Sequence, residues 1–282
     1  DYSTLLSNKV QTINPSGIRK FFDMLSGRKD VISLTVGQPD FPTPYHISNA
    51  AVDSIVKNKT YYTSNSGLPE LRAGISAYLD RRFGLRYRAE DEIFVTVGGS
   101  EAIDMAFRAV IDPGDEVIVP EPCFVCYAPI VSLCGGVPVS VQTTEETQFR
   151  LTPEMLREKI TDKTKLLILP FPNNPTGAIM ERSDLEAIAE VIRDTNILIL
   201  SDEIYSSLTY GTKHCSIIEI EGMKERTIYV NGFSKAYAMT GWRLGYVAGP
   251  KPIIKQMLKI HQYGIMSSPT VSQYAAVEAL EN

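Results

Sequence analysis

The segment NGFSKAYAMTGWRLGY, residues 231–246, holds residue types that together could do chemistry. Lys235 comes just after the apolar run TIYV, beside Ser234 and close to Gly232, and Arg243 lies eight residues further on. In open α/β sheets, ligands bind beyond the carboxyl ends of strands. A lysine placed there can form a Schiff base if its pKa is lowered enough to expose a free amine. Ser234 and Arg243 would then hold a phosphate, the arginine through paired hydrogen bonds. S-K-x7-R is a loose pattern, and a surface lysine beside a salt-bridged arginine would look the same.

Four other segments carry comparable possibilities. In ILILSDEIYSSLTY, Asp202 ends an apolar strand, where a carboxylate is costly without a partner. A cationic pyridinium nitrogen would be such a partner, with Tyr205 near the phenolic oxygen of the same ring; an aspartate capping a helix is the plainer alternative. In TVGGSEAIDMAF a strand ends, two glycines turn and a helix is expected from Ser100. The free N–H groups of Gly99, Ser100 and Glu101 would form an anion site at that helix end, or the segment is a glycine turn with a serine cap. In LPFPNNPTGAIM, Asn174 precedes Pro175, which favours an extended backbone and lets the amide project from the strand end; a Pro-Thr-Gly turn is the alternative. In EPCFVCYAPI, Phe124 follows a strand and could stack on a planar ring, or pack in the core.

The elements that must position these residues are read from the apolar pattern. Candidate strands are 93–97, 116–119, 137–141, 165–169, 197–200, 227–230 and 245–248, with helical patterns at 100–111, 125–133, 153–160 and 183–194 between several of them. Such alternation implies βαβ units and a mainly parallel sheet. LLILP and ILILS are apolar on both faces, as strands covered by two helical layers should be. The expected fold is therefore three-layer αβα around a seven-stranded sheet. Residues 1–43, with a helix expected near Gly17–Leu25 and prolines at 39, 42 and 44, read as an arm and part of a smaller second domain. Residues 44–270 read as the large domain. The helical pattern from Pro250 runs through VSQYAAVEALEN without a capping glycine, as expected where a chain is a fragment; residues 271–282 would begin an interdomain helix.

Composition narrows the function classes. The chain has 282 residues, 44% hydrophobic and 22% charged, with a net charge of −5. That mild acidity argues against nucleic acid as a partner, and no apolar run is long enough to span a bilayer. DYSTLLSNKVQ lacks the pattern of a signal peptide, so the cytoplasm is the expected location. Cys123 and Cys126 form a C-x-x-C with no further paired ligands, and His46, His214 and His261 are scattered. Free thiols in a packed segment are expected, and no metal site.

Taken together, the five segments resemble the class I/II aminotransferases, pyridoxal-phosphate enzymes of fold type I. NNPTG, SDEIY and SK-x7-R occur in the family's order, as do the earlier VGQPDFPTP and YTSNSGLPELR, and the resemblance covers essentially the whole chain. In look it is nearest to bacterial aminotransferase A–like proteins and the aspartate/aromatic group. The resemblance implies an enzyme that moves an amino group from an L-amino acid to a 2-oxo acid. It implies that Lys235 carries the cofactor and shuttles the proton, and that Asp202 pairs with the pyridinium nitrogen. Tyr205 and Asn174 would bond the ring oxygen, and Phe124 would stack on the ring. Gly99, Ser100, Glu101, Ser234 and Arg243 would hold the phosphate. Gly37 and Asn174 would approach the substrate carboxylate. Tyr62 matches a tyrosine that reaches the phosphate of a neighbouring subunit, which implies a homodimer. The family's carboxylate-binding arginine lies near its C-terminus, in a region this chain does not reach.

A C–S β-lyase or related lyase on the same scaffold would use the same cofactor residues and is the alternative function. A PLP-sensing regulator would need a DNA-binding module, for which there is no room before residue 30. The likeness to aminotransferase A tilts the expected substrate slightly toward the lysine pathway.

Overall fold

All seven apolar runs form strands in the computed structural model, which describes residues 2–17, 24, 30, 32 and 37–281. The strands are β1 (Ile93–Thr96), β2 (Glu116–Glu121), β3 (Val137–Gln142), β4 (Thr164–Leu169), β5 (Leu198–Asp202), β6 (Thr227–Gly232) and β7 (Gly245–Ala248). They make one sheet in the order β1-β7-β6-β5-β4-β2-β3. Pairing is parallel from β3 through β6, and β7 runs antiparallel to both β6 and β1.

The helices are α1 (Asn8–Gln11), α2 (Tyr45–Val56), α3 (Pro69–Phe83), α4 (Gly98–Val110), α5 (Tyr127–Cys134), α6 (Pro153–Arg157), α7 (Arg182–Ile192), α8 (Lys251–Gly264) and α9 (Thr270–Glu281). Alternate strand residues face opposite layers, as the two-residue period requires. Leu167, Leu169, Ile199 and Tyr229 pack with Leu71, Ile75 and Leu79 of α3, Ile188 and Ile192 of α7, and Ala275 and Ala276 of α9. Leu166, Ile168, Leu200 and Val230 face Ala102, Ala106 and Phe107 of α4, Val131 of α5, and Ile254 and Met257 of α8. The expected three-layer αβα arrangement is therefore present, with a core on each face of the sheet.

Several boundaries differ from the sequence reading. α4 begins at Gly98, two residues before Ser100, and α5 begins at Tyr127 rather than Val125. α2 and α3 precede β1, although strand–helix alternation did not bring them out. α2 buries only Ile47, Ala51 and Ser54, a narrow stripe that leaves Val52, Ile55 and Val56 exposed. α9 lies against α2 and α3, so residues 270–281 contribute to the large core. The helix expected near Gly17–Leu25 falls largely outside the described residues. Among the described residues, no helix is long and apolar enough to cross a membrane.

Leu167 is fully buried in the middle of β4. Leu167→Ala is expected to cost about 2–5 kcal/mol, through lost burial and the cavity left behind. The shift in urea midpoint at unchanged slope measures it, and an unmoved midpoint would contradict the packing described.

Candidate active site

The carboxyl ends of the central parallel strands meet the N-terminus of α4 around a cavity of about 400 Å³, a size ordinary for small-molecule sites. Ten of the residues singled out from sequence line it: Gly37, Gly99, Ser100, Phe124, Asn174, Asp202, Tyr205, Ser234, Lys235 and Arg243. Segments from all over the chain converge here because β4, β5 and β6 are parallel neighbours and end on the same edge.

Asp202 is the last residue of β5 and is only 7% exposed. Its Oδ2 accepts a hydrogen bond from the Tyr127 hydroxyl at 2.8 Å, and its Oδ1 accepts one from the Ile204 N–H at 3.3 Å. Burial pushes its pKa above the ordinary carboxylate range; the two hydrogen bonds pull the other way. Tyr127 is itself buried, and burial followed by the Asp202 charge holds its phenol protonated, so it acts as donor. The sequence offered no signal for Tyr127, which lies 75 residues from its partner.

Lys235 is the opposite case, a cation pressed toward neutrality. Burial, and then the Arg243 guanidinium, lower its pKa from the usual ammonium range. Its Nζ donates to the Gly37 carbonyl and stands 5.5 Å from the centroid of the Tyr205 ring. The Tyr205 hydroxyl accepts from the Asn174 amide at 3.5 Å, and burial followed by Asp202 raises its pKa. Phe124 meets Tyr127 edge-on, with centroids 6.1 Å apart.

The end of the cavity beside Arg243 is built by close backbone approach. Gly98 has φ +73°, and a Cβ there would come within 2.6 Å of Arg243 Nη2. A Cβ on Gly245 would meet the Gly98 carbonyl carbon at 2.7 Å and the Gly99 nitrogen at 2.8 Å. Glycine at both positions thus lets the guanidinium and the first turn of α4 close on one another. Arg243 also donates to the Thr240 carbonyl at 3.0 Å. Ser234, Ser100 and Gly99 complete this end of the cavity.

These residues fit a pyridoxal phosphate. A buried carboxylate whose partners among the described residues are the neutral Tyr127 and Ile204 suits a cationic ring nitrogen. A half-buried amine and a phosphate-sized cluster of donors complete the set. Two of the expected residues stand apart. Glu101 turns its side chain away from the cavity, toward the Val97 N–H and His261. Tyr62 is 76% exposed and does not line the cavity of its own chain. Cys123 and Cys126 are free thiols beside Phe124. Burial pushes Cys123 up to about 12 and Cys126 higher still, which leaves both little thiolate.

Comparison with known proteins gives the same direction. The family described as Aminotransferase class I and II matches residues 29–282. The chain is 49% identical over 280 residues to a putative aminotransferase, YugH, of Bacillus subtilis, covering 99% of this chain and 72% of that protein. It is 46% identical over 278 residues to a probable N-acetyl-LL-diaminopimelate aminotransferase of the same organism, covering 99% and 70%. The solved structure of aspartate aminotransferase from Thermus thermophilus with maleate superposes with a TM-score of 0.93 at 42% identity, covering 98% of this chain and 72% of that one.

The Asp202 shift has a consequence for stability. Its folded-state pKa lies above its unfolded one, so between the two values the folded chain holds the proton more firmly. Cofactor-free protein should therefore lose stability as pH rises from the ordinary carboxylate range through that window, and stay lower above it. Asp202→Asn should remove this loss. Denaturation midpoints across pH for both proteins check it; parallel profiles would refute the assignment.

Proposed function

Because the chain belongs to the class I and II aminotransferases, a family of pyridoxal-phosphate enzymes that pass an amino group from an amino acid to a 2-oxo acid, we propose that Lys235 is the residue at which this transfer is run. One observation carries the reading: the Lys235 amine and the buried Asp202 carboxylate face a single cavity, each lacking what one cofactor would supply. The named relatives are aminotransferases, which favours amino transfer over the lyase alternative.

When bound, pyridoxal phosphate supplies an electron sink for the charge left at the substrate's α-carbon. Asp202 would keep the ring nitrogen cationic, and Tyr127 would hold that carboxylate in place. Asn174 and Tyr205 would face the ring oxygen, with Phe124 over the ring. Gly99, Ser100, Ser234 and Arg243 would seat the phosphate. Lys235 would hold the cofactor and then, as a free amine, move the proton at the α-carbon. Its lowered pKa suits that work, since a base poised nearer neutrality transfers protons more effectively. Gly37 and Asn174 would lie nearest the substrate carboxylate.

The finer assignments belong to the same proposal. Residues 44–270 form the cofactor domain, 1–43 an arm and part of a smaller domain, and 271–282, whose described residues pack on the large core, the start of an interdomain helix. The enzyme works as a homodimer in which Tyr62 reaches the partner's phosphate site. The exposure of Tyr61 and Tyr62, and of Val52, Ile55 and Val56 on α2, supports this pairing. Four free thiols suit the cytoplasm.

Purified protein should absorb in the visible through its bound cofactor and lose that band on adding a suitable L-amino acid, regaining it with 2-oxoglutarate. A donor panel that includes aspartate, aromatic and diaminopimelate-type amines would identify the substrate. Lys235→Ala should abolish the visible band and lower turnover at least about 100-fold; a variant that keeps both overturns the assignment. Sedimentation should give twice the chain mass of 31.3 kDa, and a monomer at all concentrations would remove the role of Tyr62.

A further inference from the structure

Glu101 stands in the first turn of α4, the helix whose N-terminus faces the phosphate end of the cavity. Its side chain is buried and folds back on the helix. Oε2 accepts the Val97 N–H at 2.5 Å, and Oε1 pairs with His261 Nδ1 at 2.8 Å. His261 comes from α8, is 0% exposed, and lies against Phe94 with ring centroids 5.4 Å apart. Among the described residues, its Nε2 has no hydrogen-bond partner. The ring therefore has one polar contact, and that contact is Glu101.

A helix leaves its first four N–H groups without partners inside the helix, here those of Val97, Gly98, Gly99 and Ser100. Anions are drawn to them by the free donors and by the helix dipole. Glu101 takes the outermost, Val97, while Gly99 and Ser100 line the cavity. One helix end thus serves an internal anion and an external one. Two negative groups so placed repel each other through a poorly screened interior. His261, whose ring has no other hydrogen-bond partner among the described residues, donates to the inner carboxylate.

We propose that Glu101 and His261 form a positioning pair, which fixes the phosphate-binding turn and masks the carboxylate from the cofactor's phosphate. The carboxylate orders the turn from behind; the imidazole keeps that carboxylate in register and compensates it. This replaces direct phosphate contact as the part Glu101 plays. It rests on the reading of Gly99, Ser100, Ser234 and Arg243 as the phosphate seat.

The test compares binding of pyridoxal phosphate with binding of pyridoxal, which lacks the phosphate but keeps the ring and aldehyde. The ratio of the dissociation constant of pyridoxal to that of pyridoxal phosphate reports the phosphate seat alone. His261→Phe keeps the packing on Phe94 but strands the carboxylate, and should lower the ratio about tenfold. Adding Glu101→Gln removes the stranded charge while leaving an acceptor for Val97, and should restore the ratio to within about threefold. A merely structural role would weaken both ligands together and would make the double variant no better than the single one. Equal weakening, an unchanged ratio or failure of the rescue each overturns the proposal. If His261→Phe cannot be recovered folded, the double variant carries the test: it should fold with a ratio within about threefold of wild type, and misfolding or a larger drop overturns the pair. Arg243→Ala must lower the same ratio. If it does not, the phosphate seat is misassigned; if it does while His261→Phe leaves the ratio unchanged, the pair alone fails.

Discussion

A carboxylate sealed at the end of a central strand constrains everything around it. Asp202 can stay ionised in that position only with strong donors or a cation against it. Among the described residues, its partners are one hydroxyl and one backbone N–H, both neutral. A cationic ring would complete the set, so such a ligand would answer a demand that folding creates. The same logic runs in reverse at Lys235, where burial and Arg243 disfavour the charged amine. One group wants a positive neighbour and the other wants to shed its own charge. A cofactor with a cationic nitrogen and an electrophilic carbon satisfies both.

Much of this was legible because particular residues break the pattern of their surroundings. The strands stand out because parallel strands covered on both faces are written as continuous β-branched and leucine runs, LLIL and ILIL among them. Asp202 is conspicuous at the end of such a run, as is Lys235 after TIYV. Helix starts are harder to read. Glycine is a poor helix former, so the beginning of α4 at Gly98 is invisible to propensity and follows from its fit against Arg243 and Gly245. The helices α2 and α3 show weak amphipathic stripes, and it is packing against α9 that makes their buried face.

The side-chain contacts that sequence reasoning missed are made to partners far away in the chain. Tyr127 reads as one more aromatic in a packed segment until β5 brings Asp202 against it. Glu101 and His261 are 160 residues apart. The glutamate looked like part of an anion-binding turn through its main chain, and nothing local shows its side chain folding back. Side-chain direction at a helix terminus depends on which donor waits behind it, and that donor belongs to α8.

The antiparallel return of β7 has a wider meaning. Gly232 stands opposite Gly245, so the stretch 233–244 leaves and re-enters the sheet at adjacent points. Lys235 and Arg243 therefore ride on one short arch with both feet pinned to a common base. The amine and the guanidinium share a frame, and a drift of one would carry the other with it. The 37–43 segment, whose Gly37 and Gln38 also line the cavity, lies outside that arch. That segment could change to admit a different amino acid while the spacing of Lys235 and Arg243 stays as it is.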